Sequence, residues 1–403
     1  MTQQPEPDLP AQVPAKIAVE KDSATAVVVP LAARPQTNNW LSLPFVLTFF
    51  SWVLVASICL INMGLAVCMV AAGQYGMAAV NGLYSILMLW VFGSTLIGAP
   101  ALFMAVRQLE KRDFFVAEQS FKNYLDLVKR MRLYQDGHYQ VATANLALLK
   151  LTRGDYHHAE LLYEELINKT KTNKRQAGHT LAAVYINNLA CVKVSQALSQ
   201  EDLFDLELEE AERLANEALV IWRSGHGRKS PGGAAYPLLT LAEIKILRND
   251  LSAGEKLVQE SIALNDGGKQ SIFVLPSSRQ DLYFESHLWL TLLHLKQGKK
   301  SQADSTMRNL ISQLQARQAP VLQHSMAVLN FIAKTYMQMG AMAEAEEVLD
   351  FAYSVARGFP MHPEAHDISE TFEELLNLTD RKDEIADMKL WIRPVLELGQ
   401  DRL

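Results

Sequence analysis

Charge is absent from one long segment of this 403-residue sequence: no Asp, Glu, Lys, Arg or His occurs between Arg34 and Arg107. The mean hydropathy of the whole chain is close to zero because this value averages the apolar segment with an ordinary polar one. Apolar runs of about 20 residues are typical of helices that cross the hydrocarbon core of a bilayer. The missing charge therefore predicts a membrane segment.

Cysteine is scarce and basic residues are not in surplus. The three cysteines, Cys59, Cys68 and Cys191, have no spacing typical of a disulfide framework or a zinc site. The chain contains 38 Lys and Arg residues and 44 Asp and Glu residues, which gives a formal net charge of -6. A nucleic-acid binder needs a basic face to neutralise phosphates. We therefore expect no nucleic-acid partner and no metal.

Motifs for catalysis and cofactor binding are lacking as well. The sequence contains no HExxH, no GxSxG and no glycine-rich dinucleotide fingerprint. The stretch DGGKQS, Asp266 to Ser271, is similar to a phosphate-binding loop. That loop needs a glycine where Ala263 stands and a serine or threonine where Gln270 stands. The sequence predicts neither an enzyme nor a cofactor.

The uncharged segment divides into two apolar spans. Within residues 41–106, the spans cover about 44–72 and 77–106, and the uncharged turn GQYG joins them. Backbone groups in lipid must bond within their own segment, so we expect a transmembrane hairpin of two α-helices. The flanking basic residues lie at the outer ends of the spans: Arg34, Arg107, Lys111 and Arg112. The positive-inside rule then predicts an integral membrane protein with both termini and the following domain in the cytoplasm.

The flanking segments differ from the hairpin. Residues 1–40 contain six prolines and no apolar periodicity, which predicts a disordered tail. Residues 107–139 contain FKNYLDLVKRMRLY, an amphipathic pattern that predicts a linker helix rich in Lys and Arg. Residues 396–403 are predicted to form a short C-terminal tail.

The stretch LTRGDYHHAELLYEEL is compatible with two interpretations, a metal site or a structural repeat. Its glycine is followed five residues later by a small residue, and the same spacing recurs along the chain at steps of about 40 to 52 residues. The pairs are Gly154 with Ala159, Asn249 with Gly254, Gly298 with Ala303, and Gly340 with Ala345, while Ala211 recurs without the glycine. A glycine ends one helix and turns the chain, and a small residue lets the next helix cross closely. Such helix pairs stack on their neighbours to bury their apolar faces.

This pattern resembles the tetratricopeptide repeat (TPR). The long period and the helix YINNLACVKV, Tyr185 to Val194, are similar to the kinesin-light-chain type of that family. The resemblance implies a TPR-like α-solenoid over residues 140–395, a right-handed superhelix of five or six helix pairs with a concave groove. An insertion lies around Ser199 to Glu209. The last repeat would be degenerate, or replaced by a capping helix, over Thr379 to Leu396. His157 and His158 then lie at the turn into a second helix, where adjacent side chains diverge and no metal is expected.

The sequence as a whole predicts an all-α chain, a transmembrane hairpin followed by a TPR-like solenoid. We expect a membrane-anchored scaffold that binds a protein or peptide partner through the groove formed by the first helix of each pair. On the family's frame, that face includes Asn187, Tyr236, Asn330 and Lys334. The alternatives are a membrane protein that associates with copies of itself, or an enzyme or sensor whose site the sequence does not reveal.

Overall fold

A computed structural model describes most of the chain after residue 112. The described residues are 113–130, 137–171, 176–224, 231–267, 276–317, 325–357 and 362–385, together with 57, 61, 62, 65, 67–73, 79, 80, 83, 102 and 104–108. In these ranges the chain is helical, with no β-strand, which confirms the all-α prediction for this part of it. From residue 113 onward the α-helices are α1 (Phe114–Arg130), α2 (Gly137–Thr152), α3 (Tyr156–Lys171), α4 (Gln176–Ser199), α5 (Phe204–Arg223), α6 (Ala235–Leu247), α7 (Leu251–Gly267), α8 (Pro276–Lys296), α9 (Lys300–Arg317), α10 (Ser325–Gln338), α11 (Met342–Ala356) and α12 (Pro363–Leu378). Short 3₁₀ helices precede α5 (Glu201–Leu203) and α6 (Pro231–Ala234).

The helices form consecutive pairs, α2 with α3 through α10 with α11, and α12 begins a sixth pair. Each helix packs against the next one along the chain, except that α9 and α10 share no extensive contact among the described residues. The first helices also contact one another, α4 with α6, α6 with α8, α8 with α10, and α10 with α12. The first helices therefore lie side by side in a row. This row forms the face on which the sequence predicts a groove.

The turn inside most pairs has the same backbone conformation. A residue with positive φ ends the first helix at Gly154, Asn249, Gly298, Gly340 and Asp380. At Gly298 the glycine N–H donates to Leu295 O, and the next N–H, of Lys299, donates to His294 O, at 2.9 and 2.8 Å. This pair of bonds is the Schellman motif, which satisfies carbonyls at a helix end. Asp380 shows that the repeat continues after α12.

The small residues five positions after these turns are buried where two helices cross. Ala159, Ala303 and Ala345 have no exposed surface. A Cβ atom added at Gly254 would lie 2.7 Å from Ile246 Cγ1, so even alanine is too large there. The two largest clusters of buried apolar residues both contact Leu257 and Leu264 of α7, which makes the core continuous from α2 to α12.

The amphipathic helix predicted in residues 107–139 is α1. Its apolar face, which includes Phe121 and Leu125, packs into one cluster with Tyr139 and Leu146 of α2. Leu102 and Ala105, at the end of the second predicted span, belong to the same cluster and are buried. Helix packing that continues into the repeats therefore begins before residue 140.

Most of the predicted transmembrane hairpin, residues 41–106, lies outside the described residues, as do the tails 1–40 and 396–403. Where the spans are described they are helical, and Gly73 ends a helix with a φ of 76°. In the part of the chain that the structure describes, one helical stretch is apolar and long enough to cross a membrane, Leu181–Ser199 of α4. Because 56% of that stretch is buried inside the structure, it is a core helix of the second pair.

Candidate functional site

A cavity of about 270 Å³ lies along the row of first helices. Its walls come from α2, α4, α6, α8 and α10, the start of α3 contributes Tyr156, and the start of α12 contributes His362 and Glu364. Apolar side chains such as Leu148, Leu239 and Leu282 form part of the wall. The cavity is near the lower end of the range of about 300–1,000 Å³ that is typical of ligand pockets. It therefore suits a side chain or a small group.

The last pair closes one end of the cavity against the first. A Cβ atom at Gly154 would lie 2.7 Å from Pro363 Cγ, which places α12 directly over the turn between α2 and α3. The imidazole Nδ1 of His362 accepts a hydrogen bond from the backbone N–H of Glu364 at 3.2 Å and caps α12. Burial and the negative charges of Glu364 and Asp367 raise the pKa of Tyr156 to about 12.

Four carboxyl groups from three helices line the cavity: Glu243 of α6, Asp281 and Glu285 of α8, and Glu364 of α12. Asp281 and Glu285 are four residues apart and so share one helix face. Each of the four side chains is partly buried. Among the described residues, no lysine or arginine forms an ion pair with any of them.

The environment disfavours the charged form of each carboxyl group. Burial, with the charges of Glu285 and Glu364, raises the pKa of Glu243 well above its ordinary value. Burial raises the pKa of Asp281 to about 7, and burial with the charge of Asp281 raises the pKa of Glu285 to about 7. Burial and Asp367 also raise the pKa of Glu364 to about 7, although the charge of Lys334 opposes them. These carboxyl groups therefore carry less negative charge at neutral pH than exposed carboxyl groups do.

A buried polar group lies beside the carboxyl groups. The hydroxyl of Thr240 donates to Asn187 Oδ1 at 3.2 Å. The Asn187 amide nitrogen has only the sulfur of Cys191 as a partner in the described structure, at 4.0 Å. Burial raises the pKa of Cys191 to about 12, so this sulfur is a neutral thiol and a weak acceptor. Asn187 is 5% exposed and lines the cavity. The cavity wall therefore contains a buried N–H donor that has only a weak acceptor.

The structure brings together two of the four predicted binding residues. Asn187 and Tyr236 both line the cavity. Asn330 is 4% exposed on α10, and its Oδ1 atom has no hydrogen-bond partner in the described structure. Lys334, one turn later, is exposed, and its charge acts on Glu364 and Asp367 of α12. No observation here tests whether any of the four binds a partner.

The four carboxyl groups are candidate site residues that the sequence does not reveal. Their signal in the sequence is spacing: Glu243 follows Tyr236 by seven residues and Thr240 by three, which places all three on one face of α6. Asp281 and Glu285 repeat this relation on α8. Acidic residues at such spacing are usually a solvated helix face, so the pattern alone does not identify a site.

The two adjacent histidines lie where the repeat interpretation places them, at the start of α3. Both are exposed, and His158 Nδ1 lies 2.6 Å from Asp155 Oδ1. The described residues contain no group of three or more His, Cys, Asp or Glu side chains arranged to hold a metal ion.

No protein-family model matches the chain, and no curated protein matches it. Solved structures with similar folds include BtubC (BKLC) from P. vanneervenii, with 18% identity, a TM-score of 0.38, and coverage of 66% of this chain and 90% of that one. A tetratricopeptide repeat protein from Parabacteroides merdae has 13% identity, a TM-score of 0.36, and coverage of 74% and 98%. A Podosopora anserina kinesin light chain with nearly identical TPR-like repeats has 16% identity, a TM-score of 0.35, and coverage of 53% and 93%. These three TM-scores are below 0.5, and the repeat is defined by its own turns and helix crossings.

Proposed function

We propose that the chain is a membrane-anchored adaptor that holds a segment of another protein against the row of first helices. The observation that carries this proposal is the cavity, which opens among those helices and has Asn187 and Tyr236 in its wall. A stack of helix pairs offers a long continuous surface, and such surfaces suit protein recognition. The repeat fold thus favours an interaction scaffold over an enzyme.

The membrane part of the proposal depends on the uncharged segment before Arg107. Among its described positions, Ile61, Val67, Val80 and Leu83 are each more than half exposed, whereas Leu102 and Ala105, near its end, are buried. In water such a surface would be costly, whereas in lipid it would be solvated. We propose that the hairpin spans the bilayer and that both termini lie in the cytoplasm.

Anchoring would raise the effective concentration of a partner that is also at the membrane. A tether confines the repeats and the partner to a thin layer, so a modest affinity becomes sufficient. The close packing of Leu102 and Ala105 on α1 and α2 would hold the repeats near the membrane rather than on a long flexible linker.

Site-specific photo-crosslinking in intact cells tests the binding face. We would place a photo-reactive amino acid in the full chain at Asn188, which lines the cavity, and at exposed Leu206 of α5 as the matched control. We expect the same foreign protein to crosslink at Asn188 and not at Leu206. Equal crosslinking at both positions, or none at Asn188, would contradict recognition on the first helices. Crosslinks only to copies of the same chain would replace the adaptor with self-assembly.

Alkaline carbonate extraction tests the anchor separately. The full chain should stay in the membrane pellet, while a chain with three arginines placed across residues 61–70 should be released. Release of the wild-type chain would contradict the anchor and leave the binding face untouched.

A further inference from the structure

We propose that the segment bound in the cavity presents a cationic side chain, lysine or arginine, to Glu243, Asp281 and Glu285. This inference rests on the proposed function, because it names the chemistry of the partner that the row of first helices would hold. It follows from three observations: unpaired carboxyl groups, a buried amide whose nitrogen has only a weak sulfur acceptor, and the size and walls of the cavity.

The carboxyl groups of the cavity differ from many other partly buried carboxyl groups of this chain. Several of those others are paired with a cation: Glu160 Oε1 lies 2.8 Å from Lys193 Nζ, and Glu212 binds both Lys245 and Arg248 at 2.6 and 2.8 Å. Along the described cavity wall, no cation pairs with the carboxyl groups. Burying negative charge without a partner destabilises a fold, so the missing positive charge is the group that a ligand would supply.

The amide of Asn187 is an independent sign of a missing ligand. It is 5% exposed, it lines the cavity, and its nitrogen has only a neutral thiol at 4.0 Å in the described structure. Buried N–H donors are almost always paired with a good acceptor. The backbone carbonyl of a bound peptide would satisfy this donor. One ligand that has both a carbonyl and a cation is a peptide with a basic side chain.

The cavity suits a long organic cation better than a metal ion. Its volume of about 270 Å³ exceeds the space that a single metal ion needs. The described residues also contain no group of three or more His, Cys, Asp or Glu side chains that could hold a metal ion. Lysine and arginine have an apolar stem and a charged tip, and the wall offers Val194 and Leu239 beside the carboxyl groups. The stem would contact the apolar wall while the tip pairs with the acidic side.

Binding should release protons. A cation stabilises the charged carboxylates and so lowers the pKa values that the empty cavity raises. Affinity for a basic peptide should therefore increase as the pH rises from 6 to 8. The other titratable or charged groups that face the cavity or its carboxyl groups are Tyr156, Cys191, Tyr236, Lys334, His362 and Asp367. Burial raises the pKa values of Tyr156 and Cys191 to about 12, so neither titrates in this range.

The test uses the full chain in non-ionic detergent and four fluorescent nonapeptide pools. The pools share randomised neutral flanks and differ at the central residue, which is lysine, arginine, norleucine or glutamate. Fluorescence anisotropy gives the dissociation constants at pH 6, 7 and 8. We expect the lysine or the arginine pool to bind about tenfold or more tightly than the norleucine pool at pH 8, and the glutamate pool not to bind.

Two double variants locate the effect. Glu243→Gln with Glu285→Gln removes two charges from the cavity, and Glu209→Gln with Glu347→Gln removes two exposed charges from second helices. The cavity variant should lose about tenfold or more in affinity for the basic pool, and the control should keep it. Because glutamine relieves buried charge, the cavity variant should fold, and circular dichroism checks this.

Equal binding of the norleucine and basic pools would overturn the inference, and so would equal losses in both variants. Failure of every basic pool to bind the wild-type chain would overturn it too. A specific crosslink at Asn188 would in that case still support a partner on the first helices. Failure of the adaptor proposal and failure of the cationic ligand are therefore distinguishable.

Discussion

Replacing Glu118 by glutamine should loosen α1 from the repeats. Glu118 is 5% exposed. Its Oε1 atom lies 2.7 Å from Lys122 Nζ and 3.1 Å from Lys150 Nζ. Its Oε2 atom pairs with Arg153, which lies beside the turn after α2. One carboxylate thus joins α1 to the first helix pair, and Glu118→Gln removes the charge while keeping the shape.

The pKa of Glu118 sets the expected magnitude. Burial raises it, but hydrogen bonds and positive charge from Lys122 and Lys150 outweigh burial and lower it from 4.5 to about 2. At 1.36 kcal/mol per pH unit this difference corresponds to at most about 3.4 kcal/mol, and solvent screening reduces it to about 2–3 kcal/mol. Because the folded-state pKa is depressed, the stabilisation is present above pH 4.5 and is lost as the pH falls towards 2.

Hydrogen exchange read by mass spectrometry measures this effect locally, which suits a repeat chain that does not unfold in one step. In the full chain, amides of α1 should exchange about 30- to 150-fold faster in Glu118→Gln, while amides of α10 and α11 stay unchanged. The difference from wild type should shrink between pH 5 and pH 3. The exposed variant Glu209→Gln serves as the control. A change in α1 below twofold, or an equal change in all helices, would refute the reasoning.

Two further substitutions probe the repeat turns. Gly298→Ala should cost about 1–2 kcal/mol, because φ is 75° there and nothing lies within 4 Å of the added methyl, so the cost is conformational alone. Gly298→Asn should cost less, since Asn249 holds the same conformation in the third pair, and equal losses in thermal unfolding would contradict this. Gly254→Ala should cost about 1–3 kcal/mol by overpacking against Ile246, whose Cγ1 atom would lie 2.7 Å from the new carbon. Adding Ile246→Ala should recover part of that loss in the free energy of unfolding, measured with denaturant. If the effects of the two substitutions simply add, the proposed contact between Gly254 and Ile246 is wrong.

The sequence identifies the repeat well because its turns have strict local chemistry. Gly154, Gly298 and Gly340 have the positive φ that favours glycine, and their spacing to a small residue is visible without a structure. Asn249 is found by the same spacing. Asp380 occupies the equivalent turn after α12, but aspartate is common on helix surfaces and gives no such signal.

The cavity is less predictable because burial depends on contacts between distant parts of the chain. Asn187 and Tyr236 are found because the family frame identifies first helices. Glu243 and Glu285 look like ordinary surface residues until α6 and α8 pack side by side. Likewise, α1 looks like a free linker, because only the packed structure shows Phe121 against α2.

The contact between Pro363 and Gly154 constrains how this chain can change in evolution. An open array can gain or lose a repeat at little cost, since each unit contacts only its neighbours. Here the sixth unit contacts the first unit. Insertion or deletion of one unit would displace this contact and open the cavity between the first and the sixth unit. We expect this contact to constrain the number of repeats more than their individual sequences.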